Sequence, residues 1–344
     1  MKKVLARSGS RRQTTINDVA RLAGVSIKTV SRVFNHEPHV RPSTRDKVTA
    51  AAETLNYRPN LSARQLASNH TYVIGMLYDN PNSDYVTEVQ YGSLQACREH
   101  GYNLLIHPCQ ADSSDLMGEI DGLQRQVDGF ILLQPISDIQ SICQSLIAED
   151  IACVRVSQRP FEGFPWISVG DSEAADRMTE YLLNLGHRRI GFIVGHPDHG
   201  SSHDRLAGYR SALQRHDMEF DEALVEQGLF DYESGHSCAR NLLSSTSPPT
   251  VIFASNDPMA MGVLSAAHEM GIDVPGELSV AGFDDSPLAR HAWPPLTTVR
   301  QPITEVARLA TDVLLNLLRG RSEGDSDHRL QAELVLREST AVPG

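Results

Sequence analysis

Residues 14–35 read TTINDVARLAGVSIKTVSRVFN, and this short run decides how the first part of the chain folds. Thr15 followed three positions later by Asp18 is a capping-box pattern. It starts a helix in which Val19, Leu22 and Ala23 fall on one face. Gly24-Val25-Ser26 interrupts that helix, and Ser26 is placed to cap the next. Val30, Val33 and Phe34 give the second helix an apolar stripe, while Ile27, Lys28, Thr29, Ser31 and Arg32 face away from it. A further capping signal, Ser43-Thr-Arg-Asp46, opens a third helix with Val48, Ala51, Ala52 and Leu55 inward, ending near Asn56. Three short helices with a tight glycine turn between the first two predict a helix-turn-helix domain. A helix of this kind fits the DNA major groove, where residues near its N-terminus meet base edges. Lys28 and Arg32 suit guanine acceptors, and Ile27 suits a thymine methyl. Thr15, Ser26, Thr29, Ser31 and Asn35 suit phosphates. A plain protein-binding bundle is the competing reading.

Charge weighs against that alternative. The whole chain of 344 residues carries a formal net charge of -12. Residues 1–70 hold 13 Lys and Arg against four acids, a net of +9; the rest holds 18 against 39, a net of -21. A basic module for a polyanion joined to an acidic body is the physical reading of that asymmetry. The N-terminal segment lacks the apolar h-region of a signal peptide, and no run approaches the length of a membrane span. Five cysteines, none in a C-x-x-C pair, fit a reducing compartment. A cytoplasmic protein is expected, with no membrane partner.

The run TTINDVARLAGVSIKTVSRVFN, continued by HVRPSTRDKVTAAAETLNYRPNLSARQLAS over residues 39–68, resembles the DNA-binding segment of the lactose/galactose repressor (LacI/GalR) family. The resemblance implies a hinge after the third helix that folds on DNA and presses a leucine into the minor groove at a central C-G step. The matching residues run from Asn60 to Ala67, with Asn60 and Arg64 beside the DNA and Leu66 as the wedge. An apolar wedge unstacks a base step and kinks the duplex. Anchoring a linker helix on the core is the other role open to Leu66.

From residue 72 short apolar runs alternate with amphipathic stretches. Strands are expected at Val73–Tyr78, Asn103–His107, Gly129–Leu133, Ala152–Val156, Arg189–Val194, Thr250–Ala254 and Ser279–Gly282. Helices are expected at 85–100, 171–185, 203–216, 257–271 and 303–318. The alternation predicts parallel sheets covered on both faces. The pattern occurs twice, with a crossing near Trp166–Asp171, so the core is expected to be two doubly wound α/β subdomains. Ligands in such sheets gather at the carboxyl ends of strands.

The resemblance extends through LGHRRIGFI (185–193), SNDPMAMGVL (255–264), SVAGFDDSP (279–287) and PPLTTVRQP (294–302). It implies a periplasmic-binding-protein-like core whose two lobes clamp an effector. The chain would cross between lobes three times, and a last strand at Ala332–Ser339 would return to the C-terminal lobe. The expected organisation is 1–58 for DNA, 59–70 for the hinge, 71–170 with 302–329 for one lobe, and 171–301 with 330–344 for the other. By the same resemblance Arg205 donates to ligand hydroxyls, Asn256 and Asp284 grip them, and Phe230 stacks on a sugar or purine face. Ser201 and Gln301 belong to the same set, with Asp79, Asn80, Ser83 and Tyr85 at the rim. Leu133 and Gln134 occupy another pocket position. Asn256 as a helix cap, Asp284 as a turn former and Phe230 as core are the local alternatives. One departure stands out: many sugar-responsive members carry an aspartate where this chain has Ser157.

The cluster His196-Pro-Asp198-His199-Gly-Ser-Ser-His203-Asp204 invites a metal or catalytic reading, but it falls in a loop that borders the effector pocket in the family. Phosphate-loop, nucleophile-elbow and zinc-protease motifs are absent from the sequence. The expectation is a regulator without enzyme activity, metal or cofactor. It would be a homodimer on a pseudo-palindromic double-stranded operator, controlled by a small molecule, foremost a sugar acting as inducer. A purine-corepressed regulator is the alternative, and a free sugar-binding protein a more distant one. The tetramerising tail of some members is not expected.

Overall fold

The computed structural model describes residues 14–34, 40–57, 70–158, 160–321 and 328–344. The readings placed on Asn35, Asn60, Arg64 and Leu66 lie outside the described residues. The chain forms two compact units, Met1–Thr71 and Tyr72–Gly344. No helix among the described residues is long and apolar enough to cross a membrane.

The first unit contains α1 (Ile16–Ala23), α2 (Ile27–Phe34) and α3 (Pro42–Thr54). The capping box forms: the Asp18 carboxylate accepts from the Thr15 backbone N–H at 3.0 Å and from its hydroxyl at 2.8 Å. Gly24 ends α1 at φ 65°, a left-handed conformation that glycine adopts without steric cost. The Ser26 hydroxyl accepts from the Thr29 N–H at 3.1 Å and caps α2. Val19, Ala20, Val30, Val33, Val48, Ala51 and Ala52 form the core, with Phe34 and Leu55 packed against it. Two expectations change. Leu22 is 53% exposed and Ala20 is buried in its place, because the helical face turned inward is centred on Val19. α3 starts at Pro42 rather than after Ser43, since proline already satisfies the first helical position.

In the second unit, β1 (Val73–Tyr78), β2 (Asn103–Pro108), β3 (Gly129–Leu132), β4 (Ala152–Val156), β5 (Trp166–Ser168) and β11 (His328–Arg329) form one sheet in the order β11-β5-β4-β3-β1-β2. Another holds β6 (Ile190–Val194), β7 (Val225–Gln227), β8 (Val251–Ala254) and β9 (Ser279–Ala281) in the order β7-β6-β8-β9. All these pairings are parallel. β10 (Thr298–Arg300) and β12 (Glu333–Val335) pair antiparallel, and single bridges at Ala281–Thr297 and Asp284–Arg300 lay this ribbon beside β9. Helices α4 (Ser83–His100), α5 (Leu116–Gln124), α6 (Gln140–Ala148), α7 (Asp171–Asn184), α8 (Gly200–Arg215), α9 (Tyr232–Leu243), α10 (Asp257–Glu269), α11 (Pro287–His291) and α12 (Ile303–Leu318) connect the strands.

The chain leaves the six-stranded sheet after β5, returns to it through α12 and β11, and leaves again for β12. Trp166–Ser168 is itself a strand of that sheet, so the first crossing shortens to Val169–Gly170. The final strand covers only Glu333–Val335, because residues 336–339 bond to Pro295, Thr297 and Val280 outside the ladder. The five cysteines are free and buried.

α7 and α8 approach so closely that a Cβ on Gly208 would lie 2.0 Å from the Ser172 carbonyl oxygen and 2.8 Å from the Asp176 nitrogen. Backbone atoms cannot yield as a flexible side chain can. Gly208→Ala is therefore expected to lower unfolding stability by about 1–3 kcal/mol, read as a shifted urea midpoint. An unchanged midpoint would show that the two helices separate freely.

Candidate functional site

In the first unit α2 buries Val30 and Val33 and leaves Ile27 half exposed, with Lys28 and Arg32 exposed one turn apart on the outer face. Ser31 and Thr29 are half-buried at its margins, and the Ser26 and Thr29 hydroxyls bond each other at 2.9 Å. Thr15, at the N-cap of α1, is exposed. The segment thus offers two cations, one apolar side chain and several hydroxyls around the start of a helix, which is the chemistry of a groove-reading surface.

In the second unit a cleft opens where the strands of both parallel sheets end. Six strands each deliver a wall residue past the carboxyl end: Asn82 after β1, Gln134 after β3, Ser157 after β4, Phe230 after β7, Asn256 after β8 and Asp284 after β9. Tyr85, Ser201, Arg205 and Gln301 complete the set of expected residues that the fold gathers there. Three expected residues are placed elsewhere. Leu133 is fully buried in the core, because successive side chains of an extended chain point oppositely and Gln134 takes the cleft side. Ser83 is exposed on the first turn of α4, while its predecessor Asn82 turns inward as the helix cap. The Asp79 carboxylate accepts from the Ala111 N–H at 2.8 Å and braces a neighbouring loop, leaving Asn80 on the wall.

The wall residues are tied together. Arg205 Nε donates to Asp171 Oδ1 at 2.6 Å, Nη1 donates to the Ser255 carbonyl, and the guanidinium lies 3.8 Å from the centre of the Phe283 ring. Asp171 also accepts from Gln158. Asp284 accepts from Asn82 at 2.9 Å and from Gln301 at 2.7 Å. Asn256 caps α10 through Met259 and donates to the Phe230 carbonyl at 2.8 Å, so its amide serves the local fold on both sides. Ser157 donates to Asp138 at 2.6 Å, and Gln134 donates to the same carboxylate at 3.0 Å. Asp138 thus brings an acidic group up against Ser157 from a neighbouring turn. Asn82, Gln158 and Asp171 are polar wall residues that sequence reasoning passed over, whereas His199 comes from the loop already read as bordering the pocket; the Asn-Ser-Asp cap at 82–84 and the acid opening α7 were the signals available.

Burial pushes the Asp284 carboxyl up to about 6, against Arg205, Gln301 and Asn82, which favour its ionised form. Burial, with Asp284 nearby, also raises Asp257, which Thr298 and the Ser286 N–H hold. His199 is lowered to about 3 by burial, then by His196 and Arg205, so its imidazole is neutral. It stands edge-on to Phe230 with ring centres 5.4 Å apart. Among the described residues no three His, Cys, Asp or Glu are gathered to hold a metal.

Comparison with known proteins agrees with both parts. Residues 15–60 match the bacterial regulatory proteins of the lacI family, and residues 179–340 match a periplasmic binding protein-like domain. The chain is 36% identical to the ribose operon repressor of Escherichia coli (strain K12), over 94% of this chain and 98% of that one. It is 33% identical to the HTH-type transcriptional repressor PurR of Vibrio campbellii, with the same coverage of each. Among solved structures, the lac repressor dimer bound to operator and the anti-inducer ONPF superposes with a TM-score of 0.77 at 28% identity, covering 96% of this chain and 100% of that one. The regulator CelR in complex with cellobiose gives a TM-score of 0.72 at 30% identity, covering 95% and 100%. On a helix-turn-helix unit, a two-sheet cleft and relatives matched almost end to end, the chain belongs to the LacI family of bacterial regulatory proteins.

Proposed function

We propose that this chain is a cytoplasmic, homodimeric transcription repressor whose operator affinity is set by an uncharged sugar bound in the cleft. The observation that carries this reading is the pairing of Arg205 with Asp171 beside Asp284 on the cleft wall. A guanidinium already neutralised by a carboxylate gives little attraction to a phosphate or carboxylate ligand. Its remaining edge and the Asp284 oxygens suit the alternating donors and acceptors of sugar hydroxyls. The ribose operon repressor and the regulator CelR in its cellobiose complex point the same way, and as transcriptional regulators they favour a regulator over an enzyme. A purine corepressor is the second reading, favoured by Phe230, by the neutral His199 and by the PurR relatives.

In this proposal residues 1–58 read the operator through Lys28, Arg32 and Ile27. Residues 59–70 form the hinge that carries the Leu66 wedge. The lobes are 71–170 with 302–329, and 171–301 with 330–344. Two-fold symmetry of the protein matches two half-sites of a pseudo-palindrome. The effector acts because it binds one lobe arrangement more tightly than the other.

Fluorescence anisotropy on a pseudo-palindromic operator with a central C-G step, at fixed salt, tests the reading. D-ribose or a related sugar is expected to release the DNA; tightening by hypoxanthine or guanine would establish the purine reading instead. Arg205→Ala is expected to keep operator affinity within about twofold and to weaken the effector by about 100-fold, since it removes the charged hydrogen-bond donors from the cleft wall. A normal effector response from that variant would remove Arg205 from the site. Hydroxyls donate best to ionised Asp284, so protons compete with the sugar. Effector affinity should be level above pH 7 and fall as pH drops through about 6, approaching about tenfold per pH unit. Titration calorimetry across that range checks it, and a level profile would place the sugar away from Asp284.

A further inference from the structure

The Asp284 carboxylate is taken by the protein itself. Asn82 Nδ2 donates to Oδ2 at 2.9 Å and Gln301 Nε2 to Oδ1 at 2.7 Å, with all three residues buried. These donors come from different places. Gln301 follows β10 in the segment that leads into α12. Asn82 belongs to the loop after β1, in the six-stranded sheet, whereas Asp284 follows β9 in the other. The Asn82–Asp284 bond therefore spans the cleft.

Both ends of that bond are held rigidly. Asn82 Oδ1 accepts from the Asp84 and Tyr85 N–H groups at 3.2 and 3.3 Å, which fixes its amide on the first turn of α4. The Asp284 N–H donates to the Val299 carbonyl at 2.7 Å, and its φ of 117° is costly for a residue with a side chain. Neither partner can swing aside without disturbing its own element. A second span, from the Ser201 N–H to Gln134 Oε1 at 3.2 Å, closes the cleft further along. Asn82, Tyr85, Asp284 and Gln301 also line a neighbouring cavity bounded by Arg290, Arg300 and Glu305, so the bond is part of the partition between two spaces.

We propose that Asn82 is a built-in competitor of the effector: its amide occupies the Asp284 carboxylate and draws the lobes together until a sugar hydroxyl displaces it. This rests on the reading of Asp284 as an effector contact. A wall residue that merely touched the sugar would strengthen binding. A competitor weakens it, because the bond lost on ligand entry is one the ligand must replace. The partition opens as the bond breaks, giving the sugar a route in from the side of Arg290 and Arg300.

The test is Asn82→Ser in the full-length chain, which keeps an oxygen to cap α4 but lacks the amide donor. Calorimetry with D-ribose at pH 7.5 is expected to show binding about tenfold tighter than wild type, or 1.4 kcal/mol. Small-angle X-ray scattering of the ligand-free variant is expected to give a larger radius of gyration. Wild-type binding of ribose together with equal or weaker binding by the variant overturns the competitor role and leaves the sugar reading intact. If ribose binds neither protein, the ribose reading fails and the scattering alone decides: an unchanged radius of gyration overturns the proposal. Should Asn82→Ser not fold, Asn82→Thr retains a capping hydroxyl and is held to the same outcomes.

Discussion

Arg205 and Asp171 meet inside the protein, each almost wholly shielded from water, and the cleft is organised around that contact. Neither charge could be there alone: an unpaired buried ion costs several kcal/mol, and losing one partner of such a pair typically costs about 3–5 kcal/mol. The pair ties the first turn of α7, just past the first chain crossing, to α8. Through the Ser255 carbonyl it also reaches the end of β8. The Phe283 ring closes one face of the guanidinium, and Phe283 immediately precedes Asp284. The two charged groups best suited to a ligand are thus placed relative to each other by a single packed assembly. Gln158 extends it into the segment between β4 and β5.

That assembly explains why the cleft is acidic yet balanced. Asp171 is matched by Arg205, and Asp138 by Arg155 at 3.3 Å, with Arg155 in turn donating to the Ser137 carbonyl at 2.7 Å. Asp285 collects Arg300, Arg290 and Arg337 just outside the cleft. Asp284 has amides in place of a directly bonded cation. A carboxylate held by neutral donors in a buried site pays for its charge with a raised pKa, and it is the group most ready to exchange partners.

Much of this was legible in the residues. Val73–Tyr78, Ala152–Val156 and 303–318 were read with the boundaries the fold gives them, because long apolar runs and clear helical periodicity leave few alternatives. Three-residue strands such as Trp166–Ser168 and Val225–Gln227 carry too few side chains to show a period of two, and α5, α6 and α9 were likewise passed over. Arg205, Asp284, Phe230 and Gln301 came from the family resemblance and converge on the cleft. Of the paired Leu133 and Gln134 only Gln134 reaches it, and Ser83 missed it by one position, to Asn82. In an extended segment, or at a helix cap, one residue decides which way a side chain faces, and no pattern in the neighbouring letters fixes that choice. Asp171 and Asn82 needed the third dimension, since their partners lie 34 and 202 residues away.

The order in which the chain supplies its strands has a consequence for synthesis. The three helices of the first unit are complete by Tyr57. The six-stranded sheet takes its last strand from His328–Arg329, and the ribbon beside β9 is finished only by Val335. At about 5–20 residues per second on the ribosome, tens of seconds separate the two events. A nascent chain would therefore expose its basic helix-turn-helix unit well before the cleft exists, and early release or truncation would yield that unit without the second.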